Sequence, residues 1–261
     1  MKRFLVLACM CALMLGLAVP ARAGLPAITY CRGVVGGVCY SNRGVAANMD
    51  VFNPTLQTGG THVSSIYIYS TEGSDAYVEF GWTQDKPLGY GDRVVFIRVW
   101  DGNNPDPNQR LRPCDGGGTS GYNTYEETYT LADNLWRFQI YQESSAPGKF
   151  KFVYYSPGGG NYHYMPCTVT MTGSVTQAYA ITSTEILKQG NPSDQASWWH
   201  KDIWMLNGSY VWKAVNSTNS MNMQPFGAGD QIQWYYSRQV AGSGGTGDQI
   251  NYWLCGVINC T

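Results

Sequence analysis

The sequence predicts an all-β chain folded as an antiparallel sandwich of jelly-roll type, and three observations predict it. Nine short runs rich in Tyr, Val, Ile, Trp and Phe follow one another, several with apolar and polar residues alternating at period two. Turn clusters such as Thr71-Glu72-Gly73-Ser74-Asp75 and Gly158-Gly159-Gly160-Asn161 separate them. No segment carries a convincing amphipathic helix, and 31 glycines with 19 tyrosines suit a turn-rich sheet protein.

The chain begins with a segment outside that fold. Lys2-Arg3 is a short basic start, Phe4 to Val19 is almost wholly apolar, and Pro20-Ala21-Arg22-Ala23 supplies a small-x-small cleavage pattern. Residues 1–23 are therefore expected to be a signal peptide. Residues 24–261 would form one exported β-sandwich domain, secreted or periplasmic, with no membrane anchor left after cleavage. Cleavage removes Lys2, Arg3 and Arg22, so 14 Lys and Arg face 18 Asp and Glu, a formal charge of −4. Nucleic-acid binding is excluded as a function class, because it needs clustered Lys and Arg.

Six cysteines remain in the exported part: Cys31, Cys39, Cys114, Cys167, Cys255 and Cys260. An even number in an exported chain predicts disulfides. Nearness in sequence pairs Cys31 with Cys39 and Cys255 with Cys260, leaving Cys114 for Cys167, one of fifteen possible connectivities. No C-x-x-C or H-x-x-x-H spacing accompanies His62, His163 and His200, so neither zinc nor any other cofactor is expected.

The strands are expected, in order, at Val63–Ser70, Tyr77–Thr83, Val94–Trp100, Trp136–Tyr141, Phe150–Tyr155, Thr168–Ser174, Gln177–Leu187, Tyr210–Val215 and Ile232–Tyr236. Successive side chains of a strand point to opposite faces. In the second strand Val78, Phe80 and Trp82 share the apolar face, with Tyr77, Glu79 and Gly81 on the other. In the third, Val95, Ile97 and Val99 turn inward, leaving Phe96, Arg98 and Trp100 outward. In the fourth, Trp136, Phe138 and Ile140 turn inward, leaving Arg137 and Gln139 outward. A face with aromatic rings, arginines, a glutamine and a glutamate has the makings of a binding groove. Gly81 beside Glu79 removes bulk where a ligand would approach.

Glu79 is the most telling residue. Of six glutamates it is the one flanked by aromatic and β-branched residues on both sides, and a carboxylate held among them must be hydrogen-bonded, paired or shifted in pKa. Glu185, in Gln177 to Leu187, is the other strand glutamate; Glu72, Glu126, Glu127 and Glu143 lie in turn-like or polar surroundings. If Glu79 and Glu185 met across a sheet, like charge would raise one pKa, and the pair would hold a single proton at acid pH. One carboxylate could then take a proton from water while its partner donates to the carbonyl oxygen or the leaving group. The same chemistry would serve a glycosidase.

The residues around both glutamates resemble the neprosin family. Val78-Glu79-Phe80-Gly81-Trp82-Thr83, then Pro87 and Tyr90-Gly91-Asp92, is similar to that family's first signature: a glutamate, a Gly-Trp pair, a proline and Tyr-Gly-Asp. Asn134-Leu135-Trp136 is similar to its Asn-Trp-Trp segment. Ser183-Thr184-Glu185-Ile186 falls where the family has Gly-Gly-Glu-Val, and Lys201-Asp202-Ile203 with Tyr210-Val211-Trp212 is a weaker echo of its tail. The resemblance spans about residues 66–215. It implies a glutamic endopeptidase on an antiparallel β-sandwich, active at acidic pH on polypeptides, with Glu79 and Glu185 as the catalytic pair. The family's plant founder cleaves after proline.

Tyr77, Gly81, Trp82, Arg98, Trp100, Gln139, Trp198 and Trp199 are the candidate substrate contacts. Trp198-Trp199-His200 reads either as packing at a sheet edge or as a stacking subsite. No G-x-S-x-G marks a serine nucleophile, and each exported cysteine has a potential partner. Asn207-Gly208-Ser209 and Asn216-Ser217-Thr218 are sequons. The competing class is a non-catalytic β-sandwich that binds glycans or cell-wall material with its outward rings.

Overall fold

The computed structural model describes residues 27–30, 42–54, 56–70, 76–85, 90–102, 124–156, 161–165, 168–171, 178–189, 197–216, 220–223 and 235–254. These hold sixteen strands and no helix. In chain order they are β1 (Ala27–Tyr30), β2 (Gly44–Val51), β3 (Leu56–Ser70), β4 (Tyr77–Asp85), β5 (Tyr90–Trp100), β6 (Thr124–Thr130), β7 (Asn134–Glu143) and β8 (Ala146–Tyr155). There follow β9 (His163–Tyr164), β10 (Val169–Thr170), β11 (Ala178–Gln189), β12 (Ser197–Leu206), β13 (Trp212–Ala214), β14 (Ser220–Met223), β15 (Tyr235–Val240) and β16 (Gln249–Leu254). The all-β antiparallel expectation holds. The six cysteines and the signal segment lie outside the described residues.

The strands form two sheets. One has the order β14-β1-β11-β3-β4-β5-β6, and the other β10-β8-β7-β2-β12-β16-β15, with β13 on β12 and β9 on β8. Period-two alternation aims one face of each sheet at the other. Ile66, Ile68, Val78, Phe80, Trp82, Val95, Ile97 and Val99 come from the first sheet, and Val45, Ala47, Met49, Phe138, Ile140, Phe150, Phe152 and Tyr154 from the second. Phe80 locks the layers together, with its ring edge-on to Phe138 at 5.3 Å and to Phe152 at 5.4 Å.

A second aromatic cluster closes the same interlayer space. His62 stacks on Trp82 at 4.7 Å and stands edge-on to Phe52 at 4.8 Å and to Trp198 at 5.5 Å. Trp82 and Trp198 are fully buried there, so neither lines a substrate groove as expected from the sequence. Their large apolar surface is worth most between the sheets. His200, on the inward side of β12, is buried too.

Candidate active site

The first sheet is buried on both sides near its middle. Its face turned away from the sandwich interior carries Val63, Ser65 and Tyr67 on β3, Glu79, Gly81 and Thr83 on β4, and Val94, Phe96 and Arg98 on β5. Ser65 is 0% exposed, Glu79 1% and Phe96 1%, although none of them points into the core. The second sheet's outward face lies on the far side of the molecule, so the sequence-predicted single groove divides in two. Gln139 and Trp199 belong to that far face. Gln139 donates from Nε2 to the Tyr155 hydroxyl at 3.5 Å, and Lys201 Nζ stands 5.6 Å over the Trp199 ring. Neither can join Glu79 in one site.

Pairing register builds the surroundings of Glu79. Tyr67 on β3 lies directly opposite it on one side and Arg98 on β5 on the other, so three strands contribute one row. Arg98 donates from Nη1 to Glu79 Oε2 at 3.2 Å, and its side chain is 35% exposed against 1% for Glu79. The guanidinium is thus the part of the pair that meets solvent. It lies 5.5 Å from the Phe96 ring, two residues back on the same face. Tyr67 also hydrogen-bonds to the Glu79 carboxylate, and Oε1 is buried with no hydrogen-bond donor among the described residues. A buried acceptor left empty carries a cost of about 1–3 kcal/mol, more for a charged group.

Tyr67 and Ser65 are the neighbours that the sequence did not single out. Tyr67 is buried, and its ring is edge-on to Tyr77 at 5.9 Å. Burial, and then the charge of Glu79, pushes its phenol well above the ordinary tyrosine range. The signal was present in the alternation of β3, where Val63, Ser65 and Tyr67 oppose Ile66 and Ile68. Tyr77 and Trp100 pair with each other on the Glu79 face, one row further along. Gly81 has a different neighbour from the one expected. A Cβ there would sit 2.0 Å from the Ser64 carbonyl oxygen and 2.7 Å from Ser65 Cα, so the room it leaves is taken by the backbone of β3.

Glu185 is placed by backbone register. It lies opposite Val63 on β11, and Val63 lies opposite Thr83 on β4. No register shift interrupts these stretches, so position 185 belongs to the same face as position 79, two strands across and two rows along. On a flat sheet that diagonal is about 17 Å between Cα atoms, from strand spacings of about 4.8 Å and rises of about 3.4 Å per residue. Ser65 occupies its midpoint.

Two polar features of the second sheet are structural. Arg137 is buried and donates from Nη1 to the Asp202 backbone carbonyl at 2.6 Å, to its Oδ2 at 3.3 Å and to Asn48 Oδ1 at 3.2 Å. Asp202 has a positive φ of 48° where the register of β12 on β2 breaks, and its Oδ1 accepts from Trp204 Nε1 and the Gly247 N–H. The first sequon is occupied by the fold itself: Asn207 is buried, and its Oδ1 accepts from the Ser209 and Val211 N–H groups.

No family model and no curated protein matches the sequence. Solved structures do match the fold. A crystal structure of scytalido-glutamic peptidase with a transition state analog inhibitor aligns at a TM-score of 0.57 and 7% identity, covering 90% of this chain and 99% of that one. The same peptidase with a peptide based transition state analog aligns at 0.55 and 9% identity, with the same coverage. SCP-B, a member of the Eqolisin family of peptidases in complex with the tripeptide Ala-Ile-His, aligns at 0.50 and 8% identity, covering 89% of this chain and 97% of that one. What this chain shares with these glutamic peptidases is the fold, over 89–90% of its length.

Proposed function

We propose that the chain is an exported glutamic endopeptidase that hydrolyses polypeptides at acidic pH through Glu79 and Glu185. The observation that carries this is the Glu79 carboxylate. It is buried on the face away from the core, with Oε2 bonded to Arg98 and Oε1 unbonded. A carboxylate oxygen left without a donor beside an arginine, on the face away from the core, suits a base. The fold shared with glutamic peptidases and the placement of position 185 on the same face support the same conclusion.

The register modifies the mechanism expected from sequence. Positions 79 and 185 flank Ser65 from opposite sides, an arrangement that suits two carboxyls addressing a peptide laid between them better than two sharing one proton directly. Glu79 Oε1 would take a proton from the attacking water, and Glu185 would protonate the leaving nitrogen. Cleavage after proline is the specificity implied by the neprosin resemblance.

The test is hydrolysis of an unfolded protein between about pH 3 and 5, where one carboxyl can be ionised as base while the other keeps its proton as acid. Glu79→Gln and Glu185→Gln should each abolish turnover while thermal unfolding stays cooperative. Full activity in either variant would remove that residue from the mechanism.

A second reading has its own observation. Tyr162 and Tyr164 are 57% and 68% exposed on the second sheet, with Tyr155 4.3 Å from Tyr162. Such rings suit glycan stacking, and saturable binding lost in Tyr162→Ala without any hydrolysis would favour the binding-module class.

A further inference from the structure

We infer that the Tyr67 hydroxyl is a catalytic hydrogen-bond donor of the Glu79 site, serving the carbonyl oxygen of the bond being cut. The inference rests on the peptidase function proposed above and assigns that site a residue beyond the two glutamates. A carboxylate only accepts hydrogen bonds, whereas addition of water to a carbonyl also needs a donor where negative charge develops on oxygen. Among the described residues of the row, Arg98 gives one N–H to Glu79 Oε2, and the phenol opposite Glu79 hydrogen-bonds to the same carboxylate, a bond released to the substrate oxygen once Glu79 takes the proton from water.

The placement fits the task. Directly opposed residues of an antiparallel pair hold their Cβ atoms about 4.5–5.5 Å apart, so a base and a donor set there reach the same carbonyl group. The Tyr67 ring is fixed edge-on against Tyr77, and its burial removes competing water. Because burial and Glu79 push the phenol upward, it remains protonated throughout the acid range in which the pair would work. In the step itself, water oxygen bonds to the carbonyl carbon as Glu79 Oε1 takes its proton. The carbonyl electron pair moves onto oxygen, which accepts the Tyr67 hydrogen bond without taking the proton. The C–N bond then breaks, nitrogen takes a proton from Glu185, and the proton on Glu79 returns to Glu185 through solvent.

The test compares wild type, Tyr67→Phe and Glu79→Gln on a peptide substrate at acid pH, with calorimetric binding of a peptide carrying a hydroxyl-bearing tetrahedral isostere. Tyr67→Phe keeps the ring against Tyr77 and removes only the donor. Its kcat should fall by about 10²–10³-fold with KM held within about threefold, and isostere affinity should fall while substrate affinity does not. The double variant should lose no more than Glu79→Gln alone. A kcat within about threefold of wild type, or a loss confined to KM, overturns the role of Tyr67 and leaves the glutamates standing. A wild-type chain that cleaves nothing overturns the peptidase function and this role together. Should Tyr67→Phe fail to fold, 3-fluorotyrosine at the same position keeps both ring and donor, and must retain the wild-type kcat.

Discussion

At the level of single residues, the difference between an ordinary strand glutamate and Glu79 is what surrounds it. A carboxylate on a solvated face needs no partner, but Glu79 is buried, and among the described residues Arg98 balances its charge while Tyr67 hydrogen-bonds to it. Removing one member of a buried pair costs about 3–5 kcal/mol; Arg98 is a third exposed, so solvent replaces part of what it gives. Arg98→Met should therefore destabilise the fold by about 2 kcal/mol in urea unfolding. Glu79→Gln added to Arg98→Met should recover most of that loss, because the stranded charge is then gone. Equal stability of Arg98→Met and wild type would show that the pair does not hold the buried carboxylate in place. Period two on β4 and β5 was enough to bring Glu79 and Arg98 to one face. It was not enough to place Tyr67 beside them, since strand order and register come from long-range pairing rather than from local pattern.

At the level of elements, the strands that alternate large β-branched or aromatic residues with polar ones were legible, and those that do not were missed. Gly44–Val51 is the clearest case. Its run of Gly, Ala and Asn has weak strand propensity, yet it sits between β7 and β12 in the middle of the second sheet, where small side chains let neighbours close over it. In Ser197–Leu206 the sequence shows only the ring cluster Trp198-Trp199-His200, and Lys201 and Asp202 interrupt the alternation of the strand. The interruption is a register shift between β12 and β2 at that point, after which Ile203 and Met205 face inward again. Outward faces misled for a related reason: alternation tells inside from outside within one strand but not which sheet the strand joins, so Gln139 was grouped with Glu79. Gly81 shows how tightly these pairings are set. Because the atoms that a Cβ would strike belong to the β3 backbone, Gly81→Ala has no side chain to push aside. It should cost about 2 kcal/mol or more in thermal unfolding, and the proposed peptidase activity should fall with it as Glu79, two residues away, is displaced. A neutral Gly81→Ala would mean that β4 can move off β3 freely.

For the molecule as a whole, the two layers are joined by groups that dislike acid. His62 from the first sheet and His200 from the second are both buried, and burial lowers each pKa from about 6.5 to about 3, with the charge of His62 a lesser cause at His200. In the unfolded chain both histidines bind protons near pH 6.5; in the folded chain they stay neutral far below that. The unfolded state therefore holds more protons across the window between about 6.5 and 3, and stability is lost as pH falls through it. Each histidine contributes a slope of about 1.4 kcal/mol per pH unit at most. Asp50 works the other way: its pKa is raised by burial, less the effect of Lys201 and the Trp199 N–H, so the folded state gains a proton earlier there than the unfolded one. Among these three buried groups, one carboxyl opposes two histidines, and their sum is a loss of stability in acid. An acid peptidase on this scaffold would thus work where its own layers are being pulled apart, which sets a lower pH limit on activity independent of the catalytic carboxyls. His62 is the residue to change, since among the described residues its Nδ1 has no hydrogen-bond partner, its Nε2 meets Ser64 Oγ at 3.2 Å, and its ring is caged by Phe52, Trp82 and Trp198. His62→Phe keeps an aromatic ring in that cage and removes the titration. Melting temperatures taken from pH 7 to pH 4 should fall steeply for wild type and about half as steeply for His62→Phe, with the acid limb of activity shifting to lower pH alongside; parallel melting curves for the two proteins would show that acid opens the molecule somewhere other than between its sheets.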